Sequence, residues 1–89
     1  MPAPLRVLMV EDNRHDVDLC MHELRRSDFQ PTSRTVQTPD DLQAELARGA
    51  WDVVLSDYTM PGFNAIEALE IVRRNDAEVP FIVVTGTLD

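Results

Sequence analysis

The chain of 89 residues contains no lysine, one cysteine and no long apolar run. Its sixteen acidic residues and eight arginines leave a net charge of -8. Such a chain repels the phosphates of nucleic acids and anionic membranes, so we exclude direct nucleic-acid binding through this segment. Cys20 has no second cysteine with which to form an internal disulfide, which is typical of proteins in a reducing cytosol.

Membrane insertion is excluded by the shortness of the apolar stretches. The first of them, residues 5–10 (LRVLMV), ends at Glu11 and Asp12, whereas a membrane span needs about 20 apolar residues. It is also too short for the core of a signal peptide. We therefore expect a cytoplasmic protein without a membrane partner. The 44% hydrophobic and 27% charged composition predicts one ordered domain with a single core.

Four stretches predict strands, and three amphipathic segments between them predict helices. The predicted strands are residues 5–10, 33–37, 53–57 and 80–85, of which the second is polar and expected at a sheet edge. The first helix should follow Asn13 and end near Arg26, with one apolar stripe formed by Val17, Cys20, Met21 and Leu24.

The second and third helices have clear starting signals. Thr38 followed by Pro39 predicts a cap and a first helical residue, and Gly49 ends that helix. Asn64 with Glu67 predicts a capping box for a third helix that runs to about residue 75. We expect this helix to bury Ile66, Leu69 and Val72.

The resulting order βαβαβαβ predicts an α/β fold with a doubly wound parallel sheet and right-handed crossovers. In such sheets the carboxyl ends of the strands face the ligand crevice. Ser56 and Asp57 end the third predicted strand, so Asp57 lies where ligands usually bind. The alternative is that Asp57 caps a turn, as aspartates after strands often do.

Three acidic residues end two of these strands, namely Glu11, Asp12 and Asp57. If the strands are neighbours, the carboxyl groups converge and favour a cation, for which Mg²⁺ is the natural candidate. Acidic residues after strands are also common in solvated turns, so spacing alone leaves both interpretations open. Thr85, beside Gly86 at the end of the fourth strand, suits a phosphate oxygen, although threonine is common in strands anyway.

Three motifs in this order resemble the receiver domain of bacterial two-component response regulators. They are VEDN after the first strand, D-x-x-M-P-G around Asp57, and VVTG at the fourth strand. The resemblance implies a flavodoxin-like fold, in which Asp57 is the phosphoacceptor. It also implies that Asp12, Asp57 and the backbone carbonyl of Thr59 hold Mg²⁺, that Glu11 supports the metal through water, and that the hydroxyl of Thr85 senses the phosphoryl group.

Neighbouring positions complete the expected phosphoryl site. The NH groups of Thr59 and Gly86 could neutralise phosphoryl oxygens, and Thr59 and Thr87 would tune water access and so the lifetime of the phosphoryl group. The phosphoryl donor would be a histidine kinase or a phosphotransfer protein. The chain would be a phosphoacceptor that at most assists its own phosphorylation and dephosphorylation, and not an enzyme.

Two other functions remain open. One is a receiver-like interaction or dimerisation module that no longer switches. The other is an Mg²⁺-dependent aspartyl-phosphate hydrolase, which is disfavoured because Thr59 stands where the second aspartate of a D-x-D pair would be.

The chain departs from the receiver pattern after the fourth strand. The family continues with a helix, a strand bearing an essential lysine and a last helix, which need roughly 35 more residues. We therefore expect residues 1–89 to be a receiver domain that is incomplete at its C-terminus. Its uncovered fourth strand predicts a homodimer or domain swap.

Overall fold

A computed structural model describes residues 3–11, 14–57, 59–60 and 63–84 of the chain. Its elements are β1 (Ala3–Val10), α1 (Arg14–Arg26), β2 (Phe29–Val36), α2 (Pro39–Arg48), β3 (Val53–Asp57), β4 (Thr59–Met60), β5 (Phe63–Asn64), α3 (Ala65–Asn75) and β6 (Phe81–Val84). Strands and helices alternate as predicted, except for the short antiparallel pair β4 and β5. The predicted strand end at Thr85 lies outside the described residues.

Four parallel strands form one sheet in the order β2-β1-β3-β6. The chain starts at an inner strand, moves outward to β2, and then returns to the other side of β1 to form β3. This reversal makes the carboxyl ends of β1 and β3 the switch point of the sheet, where ligands bind in open α/β folds. The predicted doubly wound α/β fold is confirmed.

The sheet separates two apolar cores. Val7 and Met9 of β1 pack with Met21 of α1 on one face, whereas Leu8 and Val10 belong to the core beneath α2 and α3 on the other. This alternation follows from the strand period of two. The predicted apolar stripe of α1 is confirmed, because its members all pack in the first of these cores: Val17, Cys20, Met21 and Leu24.

The predicted starts of α2 and α3 are confirmed by their capping bonds. The hydroxyl of Thr38 accepts a hydrogen bond from the backbone NH of Asp41 at 3.1 Å. Asn64 and Glu67 form the predicted capping box, with side chain to backbone bonds of 3.0 and 3.3 Å. Each cap satisfies backbone donors that have no partner within the helix.

The predicted buried face of α3 is partly wrong. Val72 is fully buried, but Ile66 is 66% exposed and Leu69 is 37% exposed. The face toward the sheet instead contains Ala65, Ala68, Ile71 and Val72. Small alanines let the helix backbone approach the sheet closely, so the packed face is not the one with the largest apolar side chains.

The two edge strands differ from each other. β2 begins at Phe29, earlier than predicted, and contains the buried Pro31, a residue that sheets tolerate at edges. β6 pairs with β3, and within the described part of the chain nothing pairs with its other side. Ile82 is 50% exposed and Val83 is 44% exposed, so both faces of this strand are poorly covered.

Candidate functional site

The candidate site lies at the carboxyl edge of the sheet, between β1 and β3. Val10 is the register partner of Ser56, which puts the next residue, Glu11, level with Asp57. The backbone NH of Glu11 donates to the carbonyl of Val36 at 3.2 Å and so extends the β1–β2 ladder by one residue. Because side chains alternate along strands, Glu11 and Asp57 both lie on the α1 face of the sheet.

The two acidic residues differ in exposure. Glu11 is only 5% exposed, whereas Asp57 is half-buried at the last position of β3. A carboxylate is stable at a buried position when a cation or hydrogen-bond donors compensate its lost hydration. The arrangement therefore offers a shielded carboxylate next to a reachable one.

Two carboxylates provide the oxygen ligands that Mg²⁺ prefers. Among the residues that the structure describes, no group of three or more His, Cys, Asp or Glu side chains is close enough to hold a metal ion. Asp12, the other predicted acidic ligand, lies outside the described residues, as do Thr85, Gly86 and Thr87. Glu11 and Asp57 fit part of an Mg²⁺ site.

A short hairpin follows Asp57 and was not predicted. Thr59 of β4 is the register partner of Asn64 of β5, and Met60 is the partner of Phe63. The hairpin lies between β3 and α3 along the chain, and its first strand begins with Thr59. The sequence signal for it is the pair Pro61 and Gly62, which lies between the two short strands and is typical of tight turns.

Ser56, the residue before Asp57, is 1% exposed. Its hydroxyl donates a hydrogen bond of 2.9 Å to the backbone carbonyl of Asp57. Sequence reasoning placed Ser56 at the end of the strand but gave it no role. The bond depends on the direction in which the chain leaves β3, which no local pattern encodes.

A cavity of about 190 Å³ adjoins Glu11 on the side of β2. It is lined by Glu11, Arg14, Val17, Thr35 and Gln37. These residues come from the carboxyl ends of β1 and β2 and from the first turn of α1. The carboxyl edge of the sheet therefore has a mainly polar cavity between Glu11 and the end of β2, of whose lining the sequence analysis had singled out Glu11 as a site residue.

None of the helices within the described ranges is long and apolar enough to cross a membrane.

Residues 7–89 match the family model of the response regulator receiver domain. Transcription factor SKN7 of Saccharomyces cerevisiae is 34% identical over 92% of this chain. The hydrogenase transcriptional regulatory protein HoxA of Cupriavidus necator is 36% identical over 93% of this chain. The chain spans 13% and 17% of the lengths of these relatives, so it is similar to one segment of each.

Two solved structures with a similar fold are a response regulator and a receiver domain. A response regulator from Hahella chejuensis matches with a TM-score of 0.78 and 25% identity, covering 96% of this chain and 66% of that one. The receiver domain of a sensor histidine kinase from Pseudomonas aeruginosa, which has a magnesium ion in its active site cleft, matches with a TM-score of 0.74 and 26% identity. That match covers 93% of this chain and 68% of the other. With a family match over residues 7–89 and a sheet of the same architecture, the chain belongs to the response regulator receiver domain family.

Proposed function

We propose that this receiver accepts a phosphoryl group on Asp57 from a phosphohistidine of a histidine kinase or phosphotransfer protein, in the presence of Mg²⁺. The observation that carries the proposal is the position of Asp57, half-buried at the end of β3 and level with the buried Glu11. The site combines a reachable nucleophile with a shielded carboxyl group, and carboxyl oxygens are ligands for the cation that assists phosphoryl transfer.

The transfer forms one bond and breaks one. A carboxylate oxygen of Asp57 attacks phosphorus and forms an O–P bond, while the P–N bond to the donor imidazole breaks in line with it. The electron pair of the P–N bond stays on the imidazole nitrogen, which takes a proton from water. Asp57 then carries an acyl phosphate, which is the covalent product that carboxylate nucleophiles form in phosphoryl transfer.

Mg²⁺ would be held by Asp12, Asp57 and the backbone carbonyl of Thr59, with Glu11 supporting it through water. When bound, the metal neutralises charge on the phosphoryl oxygens. The oxygen-rich donor set supports this assignment. We assign the phosphate-sensing hydroxyl to Thr85.

The remaining proposed residues flank the phosphoryl group. The NH groups of Thr59 and Gly86 would bind its oxygens, and the side chains of Thr59 and Thr87 would control water access. In this role the chain is a phosphoacceptor and not an enzyme. The negative net charge and the single Cys20 support a cytoplasmic signalling protein whose partners are other proteins.

Phosphorylation with a small acyl phosphate tests the proposal without a cognate kinase. The chain is incubated with Mg²⁺ and acetyl phosphate, and its intact mass is measured. We expect one added phosphoryl group, which Asp57→Asn abolishes and Asp18→Asn, a change of an exposed aspartate on α1, leaves unchanged. No adduct on the unsubstituted chain would contradict the proposal, and sustained release of phosphate would favour the hydrolase.

One edge of β6 is paired with no strand among the described residues, and this edge favours a second function, which is self-association. An unpaired strand edge offers NH and carbonyl groups to another strand, and a second copy brings the same edge. A two-fold axis perpendicular to the sheet would pair the two β6 strands antiparallel and keep equivalent faces together. Because side chains alternate between the two faces, the axis would lie midway between one residue and its own copy. In the registers that overlap β6 most fully, that residue is Ile82 or Val83.

Cysteine crosslinking tests this dimer. In a Cys20→Ser background, Ile82→Cys and Val83→Cys place a thiol on either face of β6, while Ile66→Cys places an exposed thiol on α3 as a control. Directly opposite residues are close enough for a disulfide, so we expect one β6 variant to crosslink faster than the control. Equal crosslinking, or a monomeric mass by light scattering at high concentration, would refute the dimer.

A further inference from the structure

We infer that Ser56 is a positioning residue, whose buried hydroxyl holds the main chain of Asp57 in the conformation that the metal site needs. The inference rests on the proposed function. It concerns a group that touches neither the metal nor the phosphoryl donor. The geometry behind it is the 2.9 Å hydrogen bond from the Ser56 hydroxyl to the Asp57 carbonyl.

Ser56 occupies a position that suits an apolar side chain. In the sheet it lies between Val10 of β1 and Val83 of β6. Val54, two residues earlier on the same face, is fully buried. A hydroxyl at such a position needs a hydrogen-bond partner to offset its lost hydration, and the carbonyl of Asp57 is that partner.

The bond links the side chain of Ser56 to the main chain of Asp57, a residue whose own side chain lies on the opposite face of the sheet. The side chain of Ser56 lies on the face covered by α2 and α3, because it alternates with Leu55 and Asp57 on the α1 face. By holding the Asp57 carbonyl, the hydroxyl fixes the ψ angle of Asp57. That angle sets the direction in which the chain leaves the sheet toward Thr59.

The ψ angle of Asp57 affects two proposed metal ligands, the Asp57 side chain and the Thr59 carbonyl. The allowed rotamers of the Asp57 side chain depend on its backbone angles, and the carbonyl of Thr59 follows only two residues later. Mg²⁺ requires nearly ideal octahedral geometry, so a small rotation of the chain after Asp57 misplaces two proposed ligands together. Groups that orient metal ligands typically change metal affinity by about 10- to 100-fold when they are removed.

Calorimetric titration of the whole chain with Mg²⁺ tests the inference without relying on phosphorylation. We expect Ser56→Ala to lower Mg²⁺ affinity about tenfold, at the lower end of that range because the hydroxyl acts through the backbone. Ser56→Thr keeps the hydroxyl and should restore most of the affinity. Ser27→Ala is the matched control, because Ser27 also donates to a backbone carbonyl, that of Glu23 at 3.1 Å, but at the end of α1.

Phosphorylation by acetyl phosphate provides a second readout. At limiting Mg²⁺ we expect Ser56→Ala to be phosphorylated more slowly than the unsubstituted chain. Saturating Mg²⁺ should restore part of this rate, because excess metal compensates for weaker binding but not for the changed direction of the Asp57 main chain. Circular dichroism confirms that each variant is folded. Ser56→Cys, which is close in size and has a weak donor, replaces Ser56→Ala if the alanine variant does not fold, and it should also lower the affinity.

The possible failures are distinguishable. Unchanged Mg²⁺ affinity in folded Ser56→Ala or Ser56→Cys would overturn this inference alone, as would equal losses in Ser56→Ala and Ser27→Ala. If Ser56→Thr were folded but did not restore Mg²⁺ affinity, the hydroxyl would not be the group responsible for the loss. If the unsubstituted chain bound no Mg²⁺, the proposed metal site and this inference would fall together.

Discussion

Arg6 and Asp52 bond to each other twice across β1 and the start of β3. The backbone NH of Arg6 donates to the Asp52 carboxylate at 2.7 Å, and the backbone NH of Asp52 donates to the Arg6 carbonyl at 2.9 Å. The guanidinium of Arg6 also lies over the ring of Trp51, 4.9 Å from its centre. These contacts join the strands at the end opposite the candidate site, and so help to set the register that aligns Glu11 with Asp57.

We predict that Asp52→Ala lowers the free energy of unfolding by about 1 kcal/mol, because the NH of Arg6 loses its partner at an exposed position. Urea unfolding followed by circular dichroism measures this change. Asp52→Asn removes the same charge but keeps an acceptor oxygen, so it should retain most of the stability. Equal losses in both variants would assign the effect to charge instead of the hydrogen bond.

The corrected face of α3 predicts a contrast between two isoleucines. Ile71→Ala removes a buried side chain and should destabilise the fold by about 2–5 kcal/mol. Ile66→Ala removes one that is 66% exposed, and its effect should stay within about 0.5 kcal/mol. Chemical denaturation of the two variants decides between the faces, since the sequence-based prediction of a buried Ile66 requires a large loss for that variant.

The capping box of α3 should contribute measurably to stability. Asn64→Ala removes the acceptor for the backbone NH of Glu67 and should cost about 1 kcal/mol, whereas Asn64→Ser keeps a capping oxygen and should cost less. Thermal unfolding measures both. If alanine and serine were equally harmful, the side chain of Asn64 would matter for something other than the cap.

Gln43 of α2 and Asn75 of α3 form a reciprocal pair of amide hydrogen bonds of 2.8 and 2.9 Å. We predict a coupling energy of about 0.5–1 kcal/mol between them in a double-mutant cycle with alanine, measured by urea unfolding. The side chain of Asn75 also donates to the carbonyl of Ile71, so Asn75→Ala should be the more harmful single change. Additive single effects would mean that the pair does not hold the helices together.

The elements that local sequence predicts well are those with strong end signals or continuous apolar runs. The starts of α2 and α3 follow from Thr38 and Asn64, whose caps form as expected. The early part of β2 was missed because Pro31 and its polar neighbours do not read as a strand. That segment becomes a strand by pairing with the start of β1, a long-range contact that no local window contains.

For the candidate site, the sequence predicted which acidic residues end which strands, and the strand order confirms that β1 and β3 are neighbours. It did not predict the hydrogen bond of Ser56 or the hairpin after Asp57. Both depend on the path of the chain once it leaves the sheet. The roles of Asp12, Thr85, Gly86 and Thr87 stay predictions.

The two edges of the sheet differ in how well they can pair with another strand, and this difference limits the number of copies that would associate. β2 contains Pro31 and the exposed Arg34, which is paired with Glu45 at 4.0 Å, and both proline and charge discourage strand addition. In a dimer joined through β6, the remaining edge of each copy would therefore be β2, which is unsuited to pairing with a further strand. Association of this kind should stop at two copies instead of extending into a fibril.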